Sequence, residues 1–275
     1  MILSKANSIR FYKPDGLMMN FDNKRSDIVF GGMIGYCFAH KYLNTDQIPI
    51  EIGVTDGVEP TMSYITNHNS ITITPYYSET ISSITYYYYK LNQQESGYLK
   101  ITNGTETWYS EQIEIVKTTP AIKIEWYNFD DAFGFHYRDD MVNFIRLNGA
   151  IKSYAPEGKA TIFDNQNEEV KLKEVLYRQR KLILEPVPDS IAEKLTIAAA
   201  HDLFLVNDVE YVTSNFPSIK ELGFANLYEV EFTLKEKFAI GINRHTSKFV
   251  PTPAAYYTDA AGNQYTDDSG NYYTN

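Results

Sequence analysis

The segment with the most groups capable of chemistry covers residues 128–141 and is rich in carboxylates. Its acidic and imidazole side chains are Asp130, Asp131, His136, Asp139 and Asp140. Aspartate oxygens and an imidazole nitrogen are ligands that divalent metals accept. Their spacing matches neither an EF-hand loop nor the paired histidines of an HExxH helix. We therefore predict a polar loop between strands, without a bound metal.

The other groups that could support catalysis are scattered along the chain. The five histidines are His40, His68, His136, His201 and His245. No GxSxG nucleophile elbow and no metal-ligand motif is present in the sequence. The adjacent carboxylates Asp139 and Asp140 would point to opposite faces of a strand, so they could not easily share a proton. The sequence therefore predicts no enzymatic activity and no cofactor.

Charge and composition argue against several other classes of partner. The glycine-rich stretch 31–35 lacks the Lys-Ser/Thr pair that a phosphate-binding loop needs. A net charge of −10, with the densest basic run at 178–181, disfavours nucleic-acid binding. Cys37 is the only cysteine, which excludes an intrachain disulfide. No apolar run reaches the length of a membrane span and no signal-peptide core is present, so we expect synthesis in a cytoplasm.

The elements that must position any site are predicted to be mainly strands. Apolar and polar residues alternate most clearly over 97–127, which predicts an antiparallel meander with one solvent-exposed face. Asn103-Gly104 is expected to form a hairpin turn within it. Turn signals about every ten residues over 48–119 predict an Ig-like β-sandwich, preceded by a β-rich or irregular segment, 1–47.

Residues 120–248 are predicted to form an α+β module with one helix packed on an antiparallel sheet. Ser190 and Glu193 have the spacing of a capping box. The apolar stripe of the following helix consists of Ile191, Leu195 and Ala198. Two further turns are predicted, at Asn148-Gly149 and at Asn207-Asp208.

Tyrosine is unusually frequent, with 23 residues. It suits both strands and surfaces that become buried on assembly. The run 86–89 is interpreted first as a strand with a mixed core and surface face. The alternative is an aromatic contact patch for a sugar or a neighbouring subunit, which makes Tyr86, Tyr88 and Trp108 candidate assembly contacts. Trp108 and Tyr109 could instead stack on sugars, as in an adhesin.

The C-terminal arm, 249–275, contains an eight-residue repeat that begins at Tyr257 and again at Tyr265. Its composition predicts disorder in an isolated monomer. Strand addition to another chain would order it, with the tyrosines setting the register; folding back on its own domain is the alternative. The candidate contacts in the arm are Tyr257, Tyr265, Tyr272 and Tyr273.

Three stretches together resemble structural proteins of tailed bacteriophages that infect Bacteroidetes. They are residues 97–115, 121–131 and 257–275. The resemblance implies a β-rich tail, neck or baseplate component of the virion, without catalysis or cofactor. The module 120–248 also resembles tail-tube-related folds. No site residue of that family can be assigned here.

The leading hypothesis is thus a non-enzymatic structural subunit that forms a ring or a fibre-attachment site. Its expected partners are copies of itself and neighbouring virion proteins, without specific nucleic-acid binding or membrane insertion. Its expected location is the virion, after synthesis in the host cytoplasm. The alternatives are a carbohydrate-binding adhesin, an enzyme that uses His136 and Asp140, and a cytoplasmic scaffold.

Overall fold

The computed structural model describes residues 1–13, 38–138, 141–153, 157–165, 168–213, 216–222 and 227–244. As predicted, the described part of the chain is mainly β, with several antiparallel sheets and one helix. Two compact units are present, the first made of Met1–Ala155 and Arg178–Lys237 and the second of Pro156–Tyr177 and Phe238–Asn275. Within the described ranges, no helix is long and apolar enough to cross a membrane.

The first ten strands belong to two sheets of the first unit. They are β1 (Phe11–Tyr12), β2 (Ala39–Leu43), β3 (Ile48–Val54), β4 (Thr61–Thr66), β5 (Ser70–Ile73), β6 (Tyr77–Ile81), β7 (Ile84–Leu91), β8 (Gly97–Asn103), β9 (Glu106–Ser110) and β10 (Gln112–Val116). One sheet has the order β1-β9-β8-β10-β2, with β4 paired to β8 and β5 to β4; the other has the order β3-β7-β6. Strands β10 and β2 are parallel, whereas the other pairs are antiparallel.

Side chains from both of these sheets share one apolar core, which makes them a sandwich. The core includes Ile50 from β3, Tyr89 from β7, Leu99 from β8 and Ile113 from β10, all 0% exposed. Strand β8 alternates strictly between buried and half-buried residues, as the period-two pattern predicts.

The remaining elements belong mainly to a third sheet. They are β11 (Ile122–Tyr127), β12 (Asn143–Leu147), β13 (Gly149–Ser153), β14 (Glu157–Asn165), β15 (Glu168–Leu184), β16 (Val187–Pro188), α1 (Asp189–Ala199), β17 (Leu203–Val206), β18 (Val209–Val212), β19 (Ser218–Glu221) and β20 (Leu227–Arg244). The strand order is β12-β11-β17-β18-β20-β15-β13. Strands β16 and β19 also pair with β20.

Two details of the predicted meander are wrong. Strand β11 pairs with β12 and β17 in the third sheet, so the meander does not extend to residue 127. The hairpin after β8 exists, but its turn residues are Gly104 and Thr105, because Asn103 still pairs with Glu106. Gly104 alone has a positive φ, 57°, which is the arrangement that a glycine at the first central position permits.

The other predicted turns have opposite outcomes. Asn207 and Asp208 connect β17 and β18 with φ values of 48° and 63°, so that hairpin is confirmed. The prediction at Asn148-Gly149 is wrong, because β12 and β13 do not pair with each other and Gly149 belongs to β13.

Helix α1 packs on β11 and β16, as predicted for a helix on a sheet. Ile191, Leu195 and Ala198 are fully buried in the core of this sheet. The predicted capping box is wrong, since the residue before the helix is Pro188 and no side chain caps the first turn. The Ser190 hydroxyl instead donates to Glu111 at 3.3 Å.

In the second unit, β14 and the first part of β15 form an antiparallel hairpin. Its register runs from Glu157 opposite Tyr177 to Asn165 opposite Glu168. The C-terminal arm lies outside the described residues, as do residues 14–37. The domain boundaries at 47, 119 and 248 remain predictions.

Candidate functional site

Two of the predicted contact residues lie on β7 and point toward a charged cluster. Tyr86 is half-buried, and its ring centroid is 5.5 Å from that of His136. Tyr88 is 0% exposed and donates its hydroxyl hydrogen to Glu79 at 2.9 Å. Tyr88 therefore lies in the interior of the first unit, and Tyr86 alone of this pair reaches its surface.

The third described contact candidate, Trp108, is half-buried on β9. The ammonium of Lys13 lies 4.9 Å from the centre of its ring. Neighbouring Tyr109 has Lys100 at 5.8 Å from its ring centre. Both rings that the adhesin hypothesis uses therefore have a cation near one face. The four arm candidates, Tyr257, Tyr265, Tyr272 and Tyr273, lie outside the described residues.

The acidic loop identified from the sequence meets β6 in a cluster of opposite charges. His136 Nδ1 is 2.5 Å from Asp131, and His136 Nε2 is 3.6 Å from Glu79. Arg138 also approaches Glu79, at 3.5 Å, and stacks over the ring of Tyr77 at 3.8 Å. In the part of the chain that the structure describes, no three His, Cys, Asp or Glu side chains are arranged to hold a metal ion. Asp139 and Asp140 lie outside that part.

Glu51, which lies beneath this cluster on β3, was not singled out from the sequence. Both of its carboxyl oxygens face the backbone N–H of His136, at 2.9 and 3.0 Å. Burial raises the pKa of Glu51 to about 9, and the charges of Asp131 and Glu79 raise it as well, against the hydrogen bond from His136. The carboxyl is therefore protonated at neutral pH, and the loop is held to the sandwich by a neutral group.

A second buried carboxylate, Glu111, connects the sandwich to the helix. It lies between β9 and β10, and its oxygens accept hydrogen bonds from Tyr12 at 3.0 Å and from Ser190 at 3.3 Å. His40 Nε2 is 2.5 Å away. These three partners come from β1, α1 and β2. Burial opposes ionisation, but the attraction and hydrogen bond of His40, with the charge of Lys194, leave the pKa of Glu111 below its usual range.

Lys194 is the counterpart of Glu111 on the buried face of α1. Its ammonium donates to the carbonyl oxygens of Asn7 and, at 3.4 Å, of Lys5. Burial lowers the pKa of Lys194 to about 8, although Glu111 acts in the opposite direction. Glu111 and His40 are 0% exposed, so in this structure a substrate cannot reach them. Their geometry supports a structural role for the network.

The most exposed apolar side chains lie around the C-terminal end of α1. Phe129 is 71% exposed and Phe216 is 69% exposed. A cleft of about 600 Å³ opens here between the end of α1, β18 with the residues after it, and β20. It is lined by Ala199, Ala200, His201, Asp202, Glu210, Tyr211, Val212, Thr213, Phe216 and Lys237. We call Phe129, Phe133, Val212 and Phe216 the aromatic patch.

Three contacts place the loop that carries Phe129 and Phe133 beside this cleft. The backbone N–H of Phe129 donates to Asp202 at 3.1 Å, and the N–H of Asp202 donates to Asn128 at 3.0 Å. The ring of Phe133 lies 5.0 Å from that of His201. His201 and Asp202 both line the cleft, so this loop meets the cleft beside the end of α1.

Phe133 is held in an unfavourable backbone conformation. Phe133 and Gly134 have φ values of 55° and 70° and are the central residues of the tight turn between Ala132 and Phe135. A turn with two positive φ values prefers Asn-Gly, because a bulky side chain is strained there. Phe133 is nevertheless 47% exposed. A strained, half-exposed aromatic residue points to a role outside the fold itself.

Sequence reasoning noted the acids of this loop and missed its aromatic residues. The available signal was the occurrence of Phe129 and Phe133 within a segment that is otherwise polar. Comparisons with protein-family models, with curated proteins and with solved structures found no match for this chain. The site is therefore interpreted from its own geometry.

We predict that Glu51 makes the stability of the protein depend on pH. Its pKa of about 9 in the folded state lies above the ordinary value of 4.5, so the folded protein retains a proton that the unfolded chain releases. This contribution is complete below pH 4.5 and is lost as the pH rises toward 9. Chemical denaturation from pH 5 to 9 should show a shallower loss of unfolding free energy for Glu51→Gln, the difference reaching a few kcal/mol at about 1.4 kcal/mol per pKa unit.

The matched control for that measurement is Glu59→Gln, because Glu59 is an exposed carboxyl just beyond the same strand. Its curve should follow that of the wild type. Parallel curves for wild type and Glu51→Gln would show that Glu51 is ionised in the folded state.

We also predict that Phe133 can be replaced at little cost to the fold. In Phe133→Asn, relief of a left-handed conformation worth about 1–2 kcal/mol offsets the lost contact with His201. The free energy of unfolding should therefore change by less than about 1 kcal/mol. Phe135→Ala, in the same turn but at a position that is 1% exposed, should cost about 3–5 kcal/mol. Equal losses in urea denaturation would mean that Phe133 serves the core.

Proposed function

We propose that this chain is a non-enzymatic structural subunit that assembles with copies of itself and with neighbouring virion proteins. The particle would be a bacteriophage tail, neck or baseplate, or a related injection machine. The aromatic patch carries the proposal. Aromatic residues are enriched at the energetic centres of protein interfaces, and four large apolar side chains in this patch remain in contact with water in a single copy.

The conformation of Phe133 strengthens this argument. Single exposed apolar residues are common on protein surfaces and need no explanation. Phe133, however, is kept at a position where asparagine or glycine would be less strained. A contact that forms only on assembly supplies a reason for that cost.

Two edge strands of the sandwich support assembly independently. Among the described residues, β5 pairs only with β4, and β6 pairs only with β7. The sequence of β5, Ser-Ile-Thr-Ile, contains no charge, and Ile71 within it is 45% exposed. Exposed edges of this kind are available for pairing with another chain unless charge or proline protects them.

The overall acidity agrees with a virion component that does not bind nucleic acid. At a net charge of −10 the surface repels a polyanion. Assembly into a ring or onto a fibre then depends on the apolar and edge-strand contacts rather than on charge attraction. The adhesin hypothesis ranks second. It requires the rings of Trp108 and Tyr109 to stack on a sugar, but the ammonium groups of Lys13 and Lys100 already lie near one face of each ring.

The expected outcome in solution is a defined oligomer that requires the C-terminal arm. Light scattering over a concentration series should give a multiple of the subunit mass for the full chain. A version that ends at Arg244 should form an oligomer of fewer subunits, because it lacks the repeat that would pair with a neighbour.

The control for this comparison is Val58→Ser in the full chain, because Val58 is 53% exposed and lies outside the aromatic patch. It should assemble like the wild type. A full chain that remains monomeric at every concentration would contradict the proposal of self-assembly.

A further inference from the structure

We propose that the cleft beside the aromatic patch binds residues 249–257, at the start of the C-terminal arm of a second copy of this chain. The inference rests on the proposed assembly function and adds to it the surface and the segment that meet. It goes beyond the repeat itself, because the segment concerned precedes Tyr265 and contains Pro251 and Pro253.

The cleft has the chemistry of a groove for a proline-containing peptide. Its volume is about 600 Å³, and Tyr211, Val212 and Phe216 supply apolar and aromatic walls. Lys237 and Glu210, which also line it, form an ion pair with each other at 2.5 Å. Aromatic-lined grooves bind extended proline-rich segments because such segments are already ordered before they bind.

Residues 249–257, Phe-Val-Pro-Thr-Pro-Ala-Ala-Tyr-Tyr, match that groove in character. The segment contains no charged residue, so its burial requires no ion pair from the cleft. Its prolines fix φ at two of three consecutive positions and favour polyproline II, in which nine residues extend about 28 Å.

Aromatic residues occur both in the segment and around the cleft. The segment carries Phe249 at one end and Tyr256 with Tyr257 at the other. Phe216 lines the cleft, and Phe129 and Phe133 belong to the loop that contacts Asp202 and His201 in the lining. Docking would therefore offer aromatic partners to the rings of the segment, and paired rings contribute more than their area alone.

The length of the remaining chain allows the arm to continue beyond the cleft. Residues 258–275 follow the proposed segment and carry the rest of the repeat after Tyr257, including its second copy from Tyr265. Eighteen extended residues reach about 60 Å, which is enough to contact a further surface of the same neighbour. The proline-containing segment then fixes the arm, and the repeat adds contacts after it.

Cysteine cross-linking between differently tagged full chains tests this pairing. In a Cys37→Ser background, one chain carries Val212→Cys in the cleft and the other carries Ala254→Cys in the arm. After the two are mixed and oxidised, we expect a disulfide-linked pair in about tenfold excess over the same experiment with Val58→Cys in place of Val212→Cys. Val58 is as exposed as Val212, at 53% against 48%, and does not line the cleft.

A substitution in the cleft supplies the second readout. Phe216→Ser, at a position exposed enough to spare the fold, should reduce the cross-link about tenfold, as loss of one central aromatic contact does. Ile71→Ser, on the β5 edge, should leave it unchanged. Equal effects of the two substitutions would overturn the assignment of the cleft.

The mass of the same mixtures separates the two proposals. An oligomer without enrichment of the Val212–Ala254 cross-link overturns the docking site and leaves assembly standing. A chain carrying both cysteines that cross-links only within itself, at every dilution, overturns docking between copies. Monomers without any cross-link overturn both proposals.

Discussion

The buried carboxylate of Glu111 connects two strands of the sandwich to helix α1. Its partners Tyr12, His40 and Ser190 come from two strands of the sandwich and from the helix of the neighbouring sheet. Lys194 approaches it electrostatically from the same helix. Removing one partner of such a network leaves a buried charge uncompensated, which costs far more than the network contributes when it is complete. The position of α1 relative to the sandwich is therefore tightly specified.

That position also determines the surroundings of the cleft. Because α1 is held by its buried face, its C-terminal end, at Ala199 to Asp202, is fixed at the surface as one wall of the cleft. The loop with Phe129 and Phe133 is tied to the same end through Asp202 and Asn128. The exposed Phe129 and the strained Phe133 are thus anchored to the end of α1. In the proposed assembly, an interface that is ordered beforehand would lose less entropy when it forms.

Sequence patterns predicted the elements better than their connections. Alternation over β8 and helical spacing over α1 follow from burial on one face, which depends only on local sequence. The partners of β11 and the parallel pairing of β10 with β2 depend on contacts distant in sequence, which no local pattern reports. Ser190 illustrates the same limit. Its spacing to Glu193 fits a capping box, but its hydroxyl donates a hydrogen bond to the buried carboxylate of Glu111, 79 residues away. The aromatic patch was missed because exposure, unlike periodicity, is a property of the folded chain.

Electron microscopy of the purified full-length chain would show whether its copies assemble with one another. We predict ring-like oligomers of identical subunits, in which the cleft of each copy is occupied by chain from its neighbour. Particles that are single subunits at every concentration, with an empty cleft, would contradict this prediction.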